Sequence, residues 1–114
     1  MNLNRLMRAI DYDFKDESML MTALRHRSMG KPHNERLEFL GDSILNFVIA
    51  HRLYQLFPKA SEGELTRLRA SLVNRSSLAE IALELKFNEM IILGIGEKKS
   101  GGFSRESILA DALE

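Results

Sequence analysis

Five carboxylates carry the clearest chemistry in this chain. Glu35, Glu38 and Asp42 fall within one short stretch, and Asp111 and Glu114 fall together far downstream. Positions three or four apart share one face of a helix, about one turn apart. Like charges at this spacing cost a helix a few tenths of a kcal/mol per pair, on the order of the handful of weak pair terms that shape an isolated helix. Glu35 recovers part of that near a helix N-terminus, where the dipole favours anions; Glu38 and Asp42 recover less. A divalent cation would remove the repulsion, and carboxylate oxygens are the ligands Mg²⁺ prefers. Two acid pairs on two helices could therefore meet and enclose a metal. Spacing alone leaves open a solvated acidic surface, the commoner use of such pairs. Gly41 adds a second signal. Glycine inside a helix costs about 1 kcal/mol relative to alanine. Between Leu40 and Asp42 it implies that another backbone passes close by, whether for tight helix packing or to build a site.

Other reactive chemistry is sparse. The chain has no cysteine, and its three histidines have no metal-ligand spacing. Arg67, Arg69 and Arg75 suit either phosphate contact or pairing with Glu62, Glu64 and Glu80. Lys98, Lys99 and Arg105 flank a glycine-rich stretch and could follow a nucleic-acid backbone, although such a stretch is equally at home as a surface connection. Phe39, an aromatic among three acids, must either enter the core or bury in a partner.

The elements that must position these groups read almost entirely as helix. Leu3, Leu6, Met7 and Ile10 recur at helical spacing, followed by a second short helix with Met19, Leu20, Ala23 and Leu24 as its buried stripe. Residues 26–32 form a loop marked by Gly30 and Pro32. Asn34 suits the N-cap of a helix running to about Leu56, just before Pro58. On that helix Leu37, Leu40, Ile44 and Val48 form an apolar stripe distinct from the acids. Ser61 and Glu64 suit a capping box for a fourth helix, and residues 74–77 could divide it from the next. Residues 87–93 fit a buried strand or a helical turn equally well. The stretch GIGEKKSGG (residues 94–102) reads as a loop, and Ser104 as the cap of a last helix. Met7, Met19, Met21 and Met90 are expected to fill core or interface. There is no internal repeat and no low-complexity segment.

Composition frames this reading. The chain holds 114 residues, 45% hydrophobic and 28% charged, with 16 basic against 16 acidic side chains. That much apolar content argues against disorder, and the lack of cysteine removes any disulfide scaffold. No apolar run approaches the roughly 18 residues that span a bilayer, and Met1 to Ile10 carries no signal-peptide pattern. A single cytoplasmic domain is the expectation. Zero net charge, spread evenly along the chain, means that any nucleic-acid surface must be local.

The segment NERLEFLGDSIL (residues 34–45) closely resembles the signature of the ribonuclease III family. His26-Arg27-Ser28, SEGELTRLRASLV, GEKKSGGFSRES and ILADALE resemble its other segments in the same order, over nearly the whole chain. The resemblance implies an all-α endonuclease domain spanning residues 1–114 that forms a homodimer and cleaves double-stranded RNA with Mg²⁺, or Mn²⁺ as a substitute. No membrane and no small-molecule cofactor are implied. Its metal-binding and catalytic acids fall on Glu38, Asp42, Asp111 and Glu114. Two further acids at the cleft fall on Glu35 and Glu62. Phe39 falls on the aromatic that enters a socket of the partner subunit. The implied products carry 5′-phosphate and 3′-hydroxyl ends with a short 3′ overhang, in RNA processing such as ribosomal RNA maturation. A non-catalytic dimerising or RNA-binding module of the same fold is the alternative, as is an inactive fragment. The family pattern continues past Glu114 with more apolar helix, so a domain lacking its C-terminal part, and lacking a double-stranded-RNA-binding domain, is expected.

Overall fold

The protein is described by a computed structural model covering residues 3–114. Met1, where the N-terminal reading begins, lies outside the described residues. Seven α-helices make up the described chain: α1 Leu3–Ala9, α2 Glu17–Leu24, α3 Glu35–Leu56, α4 Glu62–Leu72, α5 Arg75–Glu84, α6 Ile95–Lys99 and α7 Glu106–Leu113. Short 3-10 turns fill three of the connections. The β-pairing among the described residues is a single bridge between Arg25 and Ile92. The expected all-α class holds. No described helix is long and apolar enough to cross a membrane.

The core forms where small residues let helices approach. Ala79 and Ala82 of α5 are buried together with Ile108 and Leu109 of α7, and these two helices pack more extensively than any other pair. Leu6 and Met7 of α1 and Leu20 and Leu24 of α2 close one side. Phe87, Met90, Ile91 and Leu93 close another. Residues 87–93, read as strand or helix, are neither throughout: Phe87–Glu89 is a 3-10 turn, and Ile92 then bonds across to Leu24 and His26.

The α3–α4 hairpin stands apart from this core. Of the 22 residues of α3 only Leu53 is buried. The hairpin gives the molecule extents of 49 × 32 × 24 Å and a radius of gyration of 15.4 Å, against about 13 Å for a compact chain of this length. The α3 stripe read from the sequence is largely open to solvent at Leu40, Ile44 and Val48, and Phe39, Phe47 and Tyr54 are more exposed still.

Several local expectations hold. The long helix ends at Leu56. The chain breaks between α4 and α5, where the Asn74 side chain accepts from the Ser77 N–H at 2.8 Å. Ser61 caps α4 by accepting from the Glu64 N–H, while Glu64 answers the Ser61 hydroxyl rather than its backbone.

Others are corrected. Asn34 occupies the cap position of α3 but makes no cap bond; its amide instead donates to the Ala23 carbonyl, fastening the start of α3 to α2. Met19 is over half exposed rather than part of the buried stripe, because α2 turns Leu20 and Leu24 inward. The 94–102 stretch contains the five-residue α6, closed by Gly101 at φ +80°. Ser104 does not cap α7: it closes the 3-10 turn Gly102–Ser104, and Arg105 takes the cap position without a side-chain cap bond.

Candidate metal centre

The acids converge where α3 crosses α7. Gly41 makes that crossing possible. A Cβ at this position would collide with the backbone carbonyl of Glu114, so the helix-interior glycine marks the close approach its sequence position implied. The two chains meet there with Glu38 and Asp42 on one side and Asp111 and Glu114 on the other.

One carboxylate oxygen each from Glu38, Asp111 and Glu114 lies within 4.8 Å of the other two. Oxygens that share one ion at about 2.1–2.4 Å stand at most about 4.2–4.8 Å apart. The three are therefore close enough to be candidate ligands of a single divalent cation. Asp42 completes the group within hydrogen-bonding reach of Glu114, as Asp111 is of Glu38. The four lie on the wall of a cleft of about 660 Å³ that also receives Glu35, Phe39, Asn46, Arg27 and Arg75.

The electrostatics describe acids crowded without a counter-ion. Burial first, then the hydrogen bond and charge of Asp42 and the charges of Asp111 and Glu38, push Glu114 up to about 8. Burial, then Asp111 and Glu35, raise Glu38 to about 6, with Arg27 opposing. Neutral carboxyls are how such a cluster relieves its repulsion; a divalent cation is the other way.

The surrounding loops hold this arrangement. His26 Nδ1 accepts from the Ser28 N–H and meets the Ser28 hydroxyl at 2.8 Å, and that hydroxyl accepts from the Gly94 N–H at 2.8 Å. Burial depresses the His26 pKa, with Glu97 the foremost opposing charge. His26 and Ser28 thus bind the 26–32 loop to the connection that leads into α6. Asn46, one turn after Asp42, donates to the Asp42 carbonyl at 2.9 Å. Sequence reading passed over Asn46, although its four-residue spacing from Asp42 was the available signal.

The other residues singled out from the sequence are placed unequally. Glu35 reaches the cleft and pairs with Arg27 at 3.7 Å. Phe39 reaches it too and is 79% exposed. Glu62 sits in the exposed first turn of α4 and does not line the cleft, and neither do Arg67 and Arg69 of the same helix. Lys98 and Lys99 occupy the exposed last turn of α6. Arg105 pairs with Glu97 at 3.2 Å, beside a smaller pocket that Glu38 and Asp111 also line.

Known proteins resemble this chain in sequence and in fold. Over 113 residues the chain is 58% identical to proteins named Ribonuclease 3 from Mannheimia succiniciproducens and Shewanella piezotolerans. In both cases the match covers 99% of this chain and 50% of the relative, so the chain spans about half the length of these curated relatives. Two structures of the nuclease domain of ribonuclease III from Campylobacter jejuni superpose with TM-scores of 0.95 and 0.93 at 44% identity. They match 98% of this chain and 79% and 77% of their own lengths, and one is described for flexibility in a region involved in dimer formation. The family model described as Ribonuclease-III-like matches residues 16–114. On this match and these relatives, the chain belongs to the ribonuclease III family.

Proposed function

We propose that this chain is a Mg²⁺-dependent endonuclease domain that hydrolyses double-stranded RNA as a homodimer in the cytoplasm. The observation that carries the reading is the meeting of Glu38, Asp111 and Glu114 within 4.8 Å, on helices far apart in sequence. Family membership supplies the reaction class, and the donor set supplies the metal class: hard oxygen ligands on a polar cleft.

Glu38, Asp111 and Glu114 would hold the cation, with Asp42 beside Glu114. When bound, such an ion lowers the pKa of a water and stabilises the oxygen that leaves. The chain's own groups do the rest. Asn46 steadies the α3 turn that carries Asp42. Gly41 lets Glu114 reach α3 at all. Protons held by Glu38 and Glu114, whose pKa values are raised, must leave before either can ligate, so the cluster exchanges protons for metal. Hydrolysis that breaks the bond to the 3′-oxygen leaves 5′-phosphate and 3′-hydroxyl ends. Two such sites related by a two-fold axis and offset across a minor groove leave a 3′ overhang. Ribosomal RNA precursors are the proposed substrates.

The exposed apolar side of α3 supports the dimer. Phe39, Leu40, Ile44, Phe47 and Val48 are all more than half exposed, a contiguous apolar surface of the kind that marks an interface. Glu62, remote from the cleft of its own chain, is assigned to the cleft through the family resemblance.

The test is cleavage of a labelled RNA duplex with Mg²⁺, comparing the protein with Glu114→Gln and Glu38→Ala. Loss of cutting in both, with the helical circular-dichroism spectrum retained, supports the assignment. Unchanged cutting in both sinks the site. A protein that binds duplex RNA and never cuts it would instead be a non-catalytic module of this fold.

A further inference from the structure

The five acids that line the cleft are a poor surface for a polyanion. Its cations are Arg27 and Arg75. They arrive from unrelated elements, Arg27 from the 3-10 turn after α2 and Arg75 from the first position of α5.

We infer that Arg27 and Arg75 are the phosphate-positioning residues of this cleft, each holding a backbone phosphate beside the one that is cleaved. The inference rests on the nuclease reading above and goes beyond its metal-binding acids.

Three observations carry it. First, Arg75 forms no ion pair among the described residues, although acids share its cleft. An exposed guanidinium left unpaired beside carboxylates is available to an incoming anion, and its planar fork suits phosphate. Second, Arg27 is paired only loosely. Its contact with Glu35 is 3.7 Å long, and both side chains are at least half exposed. Exposed pairs of this kind are worth about 0–1 kcal/mol, so a phosphate can displace Glu35. Third, the remaining candidate cations are elsewhere or engaged. Arg67 and Arg69 do not line the cleft, and Arg105 is held by Glu97. Arg27 also lines the adjoining pocket of about 160 Å³ beside Glu38 and Asp111, which places it next to two of the acids that would hold the metal. The ligand class is a nucleic-acid phosphodiester, and the contact carries no base information.

The experiment measures duplex-RNA cleavage and the salt dependence of duplex binding. The protein is compared with Arg75→Ala, Arg75→Lys, Arg27→Ala and the double alanine variant. Arg8→Ala, an exposed change on α1, is the control. Each alanine should raise KM about tenfold, the worth of one charged hydrogen bond, and leave kcat nearly unchanged. Each should also lower the slope of log affinity against log salt by about 1. Lysine at 75 should restore the slope and part of the affinity. Arg8→Ala should match the unaltered protein. An unchanged slope in the double variant overturns the inference, as does a fall in kcat alone. Failure of the unaltered protein to cut duplex RNA overturns the nuclease reading and this inference together. Normal cutting with a normal slope in the double variant overturns this inference alone.

Discussion

The packed core and the α3–α4 hairpin follow opposite rules. In the core, apolar side chains from α1, α2, α5 and α7 meet at close to zero exposure, with Ala82 and Leu109 fully buried. Along α3, equally apolar side chains face water, with Phe39 79% and Phe47 69% exposed. The core spends its apolar residues on folding this chain. The hairpin leaves them open to solvent. The candidate metal centre lies on the seam, taking Asp111 and Glu114 from the core helix α7 and Glu38 and Asp42 from α3. A site split in this way depends on both regions, and each can be disturbed separately.

Removing a ligand should have the largest effect. Glu114→Gln is expected to lower Mg²⁺-dependent cleavage on the order of a thousandfold, since the metal supplies several kcal/mol of transition-state stabilisation. Its melting temperature should hold or rise, because the variant relieves acid crowding. Single-turnover cleavage and thermal denaturation together check this. A variant that loses folding and cleavage in step would show that the seam is part of the core.

Next comes the core itself. Leu109→Ala should destabilise the protein by about 2–5 kcal/mol, the usual cost of a fully buried leucine, read by urea denaturation. The matching change on the hairpin, Phe47→Ala, should cost within about 0.5 kcal/mol in the monomer, as surface changes do. Its effect should appear in sedimentation as weaker self-association. Equal destabilisation by the two would erase the distinction between the regions.

The pH prediction is smaller. Glu38 and Glu114 have folded pKa values raised to about 6 and about 8. The folded state therefore holds protons that the unfolded chain has released. Stability linked to these groups is complete below about pH 4.5 and declines as pH rises through 6 and then 8. Added Mg²⁺ should oppose the decline at the upper end, where it takes the place of the protons. Melting temperature measured from pH 5 to 9, with and without Mg²⁺, checks the sign. A metal-free protein that gains stability across this range would contradict the crowded-acid description.

Much of this was legible residue by residue. Ser61 and Asn74 mark helix starts through local bonds, Pro58 marks an end because it has no N–H to donate, and all three boundaries hold. The acid spacing gave each pair its shared face, and Gly41 announced a backbone approaching α3. Legibility failed where a polar side chain had a choice of partners. Asn34 and Ser104 both have cap chemistry, yet the Asn34 amide is turned to the Ala23 carbonyl and Ser104 ends a 3-10 turn one residue short of the cap position. The α6 helix was hidden because glycines on either side of IGEKK read as one continuous loop.

What the sequence determined by itself was the inventory: helices from periodicity, ends from caps, acids in pairs, and a family from the order of its motifs. These depend on interactions within a few residues. Tertiary structure alone decided which apolar stripe is buried, since the stripes of α2 and α3 obey the same period and only packing distinguishes them. It also decided that Arg75 faces the acids while Arg67 and Arg69 do not. Above all, it brought Glu38 to Asp111 and Glu114. No local propensity records a contact across more than seventy residues; that contact exists because α7 is anchored in the core and Gly41 leaves room for its end.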